Sequence, residues 1–367
     1  PYLEQWTFGG RSRLGVTNES AEQSPYTWYS QATVGNPTVQ WEESEKYNLG
    51  LDFEVFKGMF SGKVDVFQDY RSKILLTGRS DVPSYFGAAP PVANLGQVKS
   101  QGYEVELHFN KNFGKVRFWT DLNMSHTQNV ILERASPELL PAYQRPEGMQ
   151  IDQVYSFVNN GKYNTWDQLY GSTVHNVNDN QKLVGNYYLV DYNADGVIDA
   201  QDRIPYGHTG WPQNTYNATL GLDWKGFSAF VQFYAVNNVT RQVVFNSLNA
   251  QSNVVYQEGA YWSPQNPNGT PIPRWLSQPF GDFRGTQFMY DGSYVRLKNA
   301  EIAYSFTPKM SKRFGFNNLR IYLNGNNLYA WSKMPDDRES NFAGTGWASQ
   351  GAYPTVKRYN LGFNIIF

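Results

Sequence analysis

Apolar and polar residues alternate along much of this chain with a period of two, the signature of half-exposed β-strands. Tyr47, Leu49, Leu51, Phe53 and Val55 share one parity, and Asn48, Asp52 and Glu54 take the other. A turn at Lys57-Gly58 leads to a second strand, with Val64 and Val66 opposite Lys63 and Asp65, that runs to Leu76 although Phe67 breaks its parity. A second hairpin sets Tyr103, Val105, Leu107 and Phe109 against Glu104, Glu106, His108 and Asn110, and returns through Val116, Phe118, Leu122 and Met124. A third pairs Tyr216 to Trp224 with Phe227 to Ala235 around Lys225-Gly226. A fourth runs from Tyr294 to Phe306 and from Leu319 to Trp331, with a parity shift between Leu297 and Ala300 that suits a β-bulge. The closing strand, Tyr359 to Phe367, alternates Tyr, Leu, Phe, Ile and Phe with Asn360, Gly362 and Asn364. Upstream, a short strand is expected over Tyr2 to Phe8, and residues 18–40 read as loop.

The connections alternate as well. They are short near residues 58, 113, 225 and 312, and long near 85, 170, 265 and 342. Short turns on one side, long loops on the other and strands with one apolar face predict an all-β, transmembrane, antiparallel β-barrel of the outer-membrane type, with the C-terminus periplasmic and the long loops extracellular. About nine or ten strands are expected over residues 1–367, and since single-chain bacterial barrels close on even strand numbers, this is expected to be part of a larger barrel. The start at Pro1, without Met or a signal peptide, reads as a mature or trimmed piece. A soluble or surface-attached β-sandwich, stapled by calcium and binding carbohydrate, is the alternative; it would interdigitate the apolar faces in one core.

Composition changes this picture little. Aromatic residues make up 16% of the chain, a content suited to barrel girdles. A mean hydropathy of −0.57 and the lack of any long apolar run exclude a membrane helix but not a barrel, half of whose strand residues are polar. A formal net charge of −1 offers no field for nucleic acid. With no cysteine there is no disulfide, thiol nucleophile or zinc-thiolate site.

One stretch carries metal chemistry. Asp191-Tyr192-Asn193-Ala194-Asp195-Gly196-Val197-Ile198-Asp199-Ala200-Gln201-Asp202 fills a twelve-residue calcium-loop template: Asp191, Asn193 and Asp195 at positions 1, 3 and 5, Gly196 at 6, the Val197 carbonyl at 7, Asp199 at 9 and Asp202 at 12. Asp202 is shorter than the usual Glu, and extended residues and Pro205 flank the loop, so a lone structural calcium loop is expected; the other reading is an Asx-rich turn without metal. It lies in a long loop, residues 131–212. Loop aromatics, among them Trp166, Tyr170, Trp211, Tyr261, Trp262 and Trp275, either grip substrate or a partner or pack the loops together. The histidines His108, His126, His175 and His208 show no catalytic or metal-protease spacing, and Asp336, Asp337 and Glu339 read as a solvated loop rather than a paired-carboxylate site. No enzyme is expected.

Four stretches taken together resemble the C-terminal half of the SusC family, the TonB-dependent outer-membrane transporters of Bacteroidetes. They are Trp41-Glu42 with Tyr47-Asn48-Leu49-Gly50-Leu51-Asp52; Asn94-Leu95-Gly96 with Gly102-Tyr103-Glu104; the calcium-like loop with Asp202-Arg203; and Asn326-Asn327-Leu328-Tyr329. Pro335-Asp336-Asp337-Arg338-Glu339 is a loose version of a further family segment. The resemblance implies one segment of a roughly 22-stranded barrel, with the signal peptide, N-terminal domain, TonB box and plug outside this chain. It further implies active import of a nutrient, glycan or peptide, with a SusD-like surface lipoprotein and TonB as partners.

Overall fold

The computed structural model describes residues 3–12, 26–77, 85, 90–137, 139–177, 179–242, 262–267, 285–287, 289–313, 315–334 and 355–366. Nine strands form one sheet: β1 Glu43–Val55, β2 Phe60–Leu76, β3 Ala93–Phe113, β4 Val116–Glu133, β5 Asn214–Trp224, β6 Phe227–Asn237, β7 Tyr294–Ser305, β8 Asn318–Ser332 and β9 Arg358–Ile366. Each strand lies beside its neighbours in sequence, an up-and-down meander whose edges β1 and β9 are not paired with each other. The sheet is therefore an open stretch of barrel. β3, at 21 residues, is about twice the length a bilayer requires.

Chain contacts divide the protein into two compact units, residues 1–48, 67–101 and 128–151 in one and residues 49–66, 102–127 and 152–367 in the other. In the first, Asn94 donates to the Gln40 carbonyl, Lys73 pairs with Glu43 at 2.5 Å, and Tyr70 donates to Gln97 at 2.7 Å. The second holds β5 to β9 and the register that separates the two faces of the sheet.

Hydrogen-bonded pairing places Phe118, Leu222, Ala229, Ile302, Leu323 and Leu361 in one row across six strands, all apolar. On the other face a row runs Asp121, Thr219, Gln232, Asn299, Asn326 and Arg358, all polar. A one-residue slip in any strand would exchange the two. The apolar face is the exposed one, with Leu49 77%, Leu361 66% and Leu323 52% accessible. This removes the sandwich alternative, in which a second sheet would cover that face.

On the polar face, Trp119 lies across its partner Gly221 and Tyr322 across its partner Gly362, so that a Cβ at either glycine would fall 2.0 or 2.2 Å from ring atoms. The glycines leave room for aromatic rings to lie flat against the backbone. The bulge expected after Leu297 is present: pairing of β7 with both neighbours skips Lys298, whose Nζ lies 4.6 Å over the Tyr234 ring.

Two expectations need correction. Residues 18–40 are not all loop, because Tyr26–Thr33 forms a strand paired with Gln5–Ser12 in a separate two-stranded sheet. Its alternation is masked in sequence by polar side chains on both parities. The short connection near 312 is also more than a turn, since it contains helix α1, Pro308–Arg313. Phe367 and residues 335–354 lie outside the described residues, and with them Asp336, Asp337 and Glu339.

Candidate functional site

The long connection between β4 and β5 folds back on itself. Tyr155–Ser156 pairs with Ile204–Pro205, Asn159–Lys162 with Tyr187–Leu189, and Val174–His175 runs parallel to Val197–Ile198. Tyr163, Leu169, Val184 and Trp262 form one small core here, and Phe157, Leu189 and Ile198 another. This is a structured insert with its own buried apolar groups, which accounts for a connection too long for an ordinary loop.

The calcium-like loop lies between the strands Tyr187–Leu189 and Ile204–Pro205 of the insert. Ala194 and Gly196 take φ of 59° and 89°, left-handed conformations that glycine adopts without penalty. Three side chains fold the loop by accepting from amides ahead of them: Asp191 Oδ2 from Gly196 at 2.9 Å, Asn193 Oδ1 from Asp195 at 3.0 Å, and Asp195 Oδ1 from Val197 at 2.9 Å. Each spends one oxygen on the backbone. Asp191 Oδ1 is buried without a hydrogen-bond partner, the arrangement a hard cation would complete.

Position twelve behaves differently. Asp202 is fully buried, and its Oδ1 accepts from Tyr192 at 2.7 Å and Asn193 at 3.3 Å while its Oδ2 accepts from Asp199 at 2.8 Å. Both oxygens clasp the two ends of the loop together. Asp199 in turn caps the turn Ala200–Asp202, accepting from Gln201 at 2.7 Å. Among the described residues no three acidic or histidine side chains converge on one metal position, and the second oxygen of Asp195 accepts from Asn193 Nδ2 at 2.9 Å.

His175, beside Ile198, is buried, and desolvation, reinforced by the Lys182 ammonium, holds its pKa down to about 4. Lys182 is itself 9% exposed and pairs with Asp179 at 2.6 Å.

The loop aromatics separate by environment. Trp262 is buried and donates from Nε1 to Asn164 at 3.0 Å. Trp166 and Tyr170 open and close a five-residue helix capped by Thr165; their rings stack at 5.9 Å and stand 50% and 78% exposed. Trp211 is 64% exposed. Tyr261 and Trp275 lie outside the described residues.

On the polar face of the sheet an amide ladder connects four strands: Gln232 donates to Asn217 at 3.1 Å, Asn299 to Gln232 at 2.5 Å and Asn326 to Asn299 at 2.5 Å. Beside it Arg320 pairs with Glu301 at 2.5 Å. Sequence alternation places these residues on the polar face but gives no reason to single them out, because the ladder depends on which strands are neighbours.

Comparison with known proteins fits this architecture. The chain is 25% identical over 364 residues to TonB-dependent receptor P3 of Formosa agariphila, covering 90% of this chain and 35% of that protein. It is 23% identical over 322 residues to TonB-dependent receptor SusC of Bacteroides thetaiotaomicron, covering 82% of this chain and 31% of that one. The RagAB peptide importer in its open-open state has the same fold, with a TM-score of 0.67 at 19% identity, covering all of this chain and 38% of the importer chain. This chain thus spans about a third of the length of these relatives. The family model for the TonB dependent receptor-like β-barrel matches residues 5–328, and the chain belongs to that family of outer-membrane barrels.

Proposed function

We propose that this chain is the C-terminal part of the barrel of a TonB-dependent importer that works in a SusCD-type pair, taking up a glycan or peptide nutrient across the outer membrane. The observation that carries the reading is the paired register of the sheet, an unbroken apolar row on one face and an unbroken polar row on the other. The first suits hydrocarbon and the second a wet interior. SusC and a RagAB peptide importer chain among the similar proteins support the pairing with a SusD-like surface lipoprotein. TonB would engage the portion of the transporter that precedes the barrel. Exposed Trp166, Tyr170 and Trp211 are available to a nutrient or to the lipoprotein. The chain supplies binding surface and no chemistry on the cargo.

The loop at 191–202 would hold a structural calcium through Asp191, Asn193, Asp195 and the Val197 carbonyl, the ion neutralising carboxylates that otherwise crowd one turn. Removing calcium with a chelator then raises proteolytic cleavage in the insert and leaves the sheet intact; cleavage indifferent to calcium would reject the ion.

The test of the whole reading is mass spectrometry of the complex extracted with detergent from outer membranes. Recovery of a plug-bearing portion and a surface lipoprotein with this chain supports it. Recovery of the chain in the detergent-free soluble fraction rejects it.

A further inference from the structure

The apolar face is not evenly filled. Where Ala229, Ala300 and Gly325 stand on β6, β7 and β8, the surface falls into a groove of about 460 Å³ with almost no polar lining. Leu222, Ile302 and Leu323 wall it on the side of the short turns. Leu328, displaced by the irregularity around Asn327 (φ 52°), leans over Gly325, where a Cβ would stand 2.5 Å from it. Tyr359 on β9 lines the far end. Small residues therefore open a trough in the surface that meets hydrocarbon, and its apolar lining suits an aliphatic chain.

A second, independent feature lies at the short-turn ends of the same strands. The four short connections, residues 56–59, 114–115, 225–226 and 306–317, hold Lys57, Lys115, Lys225, Lys309, Lys312 and Arg313 and no acidic residue. All six are exposed, and none is in an ion pair among the described residues. The turn at 225–226 abuts the end of β7 that leads into 306–317, since Ser305 donates its N–H to the Gly226 carbonyl at 2.8 Å. Between cations and groove stands an aromatic band: Trp224 against Phe227, Phe227 against Tyr304 and Tyr304 against Phe306. Lys225 rests its ammonium 5.3 Å over the Trp224 ring. Cation, aromatic band and apolar trough follow one another along β5 to β8, the order of phosphate, glycerol backbone and acyl chain in a phospholipid.

We propose that this face seats an anionic phospholipid of the leaflet on the short-turn side, with an acyl chain in the groove and its phosphate among Lys225, Lys309, Lys312 and Arg313. The inference rests on the sheet lying in a bilayer, as the barrel family implies. A lipopolysaccharide also carries phosphates and acyl chains, but it belongs to the opposite leaflet, and the cations here sit with the short turns.

The full-length transporter is the material for the test, reconstituted in mixed bilayers of phosphatidylglycerol and phosphatidylethanolamine and released for native mass spectrometry. Wild type is expected to retain phosphatidylglycerol in preference to phosphatidylethanolamine. Changing Lys225, Lys309, Lys312 and Arg313 together to Gln should cut that preference by at least about tenfold, since each surface cation contributes about fivefold to attraction of an anionic lipid. Ala300→Leu, which fills the groove, should lower retention of both lipids. Equal retention of the two by wild type, an unchanged preference in the Gln variant, or co-purification of lipopolysaccharide in their place would overturn the proposal. Flotation of every variant with the vesicles shows separately that the sheet is embedded, so failure of the lipid site and failure of the barrel reading remain distinct.

Discussion

Among single residues, Asp202 has the least freedom to change. Its carboxylate holds three amides from both ends of the 191–202 loop with no solvent to replace it. Asp202→Ala leaves those donors unpaired, at an expected cost of about 3 kcal/mol to the insert, and Asp202→Asn should cost nearly as much, because its amide nitrogen would face N–H donors. Hydrogen exchange of residues 191–199 measures both; a neutral Asp202→Asn would show that the clasp does not stabilise the loop. His175 gives the insert a pH dependence of known sign. Its folded pKa of about 4 lies below the ordinary 6.5, so the stability it contributes is complete above about pH 6.5 and falls as the pH drops toward 4. By pH 5 the loss should reach about 2 kcal/mol, read as earlier thermal unfolding of the insert, and His175→Gln should flatten that slope. The loop at 191–202 was legible in sequence because its donors are adjacent along the chain. The clasp was not, because no sequence pattern shows which amides surround Asp202.

At the level of strands, legibility follows the range of the interaction. Period-two alternation located the hairpin turns and even the bulge at Lys298, because side-chain parity is a local consequence of strand geometry, but it missed the far ends of the second hairpin, whose strands begin at Ala93 rather than Tyr103 and end at Glu133 rather than near Met124. The partnership of Tyr26–Thr33 with Gln5–Ser12, the nested ladders of the insert and the amide ladder were hidden, since each joins segments whose adjacency is decided by the fold. The paired glycines belong to both classes: their positions are visible in sequence, but their purpose appears only when Trp119 is found opposite Gly221 and Tyr322 opposite Gly362. These pairs yield a prediction about register. Gly362→Val should displace the Tyr322 ring and destabilise β8 and β9 by about 1–3 kcal/mol through overpacking. A double change of Gly362→Val with Tyr322→Ala should recover most of that loss, measured by urea unfolding of the full-length transporter in liposomes. A double variant no more stable than Gly362→Val would mean that the ring is not what the glycine accommodates.

For the whole molecule, the decisive property is that its two faces demand different solvents. Leu220 and Thr219 are consecutive on β5, yet Leu220 pairs with Val231 on the apolar face and Thr219 with Gln232 on the polar one. Leu220 lies four residues from the end of β5 at Trp224, which at the rise and tilt of barrel strands is about 10 Å from the short-turn boundary. That is close to the middle of an apolar band about 25 Å tall. An arginine there must drag water into hydrocarbon or force the chain out of it, so Leu220→Arg should cost about 2–4 kcal/mol. Thr219→Arg places the same charge where polar neighbours and water already meet the sheet, and should cost less than about 1 kcal/mol. The contrast isolates the solvent, because the two positions are adjacent on one strand, lie at nearly the same depth and are flanked by the same two strands, β4 and β6. Urea unfolding of the two variants in liposomes measures it, and equal costs would mean that the apolar row does not face lipid. Repeating the pair at Trp224, where the aromatic band meets the headgroups, should shrink the penalty on the apolar face toward zero, since the cost of a buried charge falls steeply with distance from the midplane.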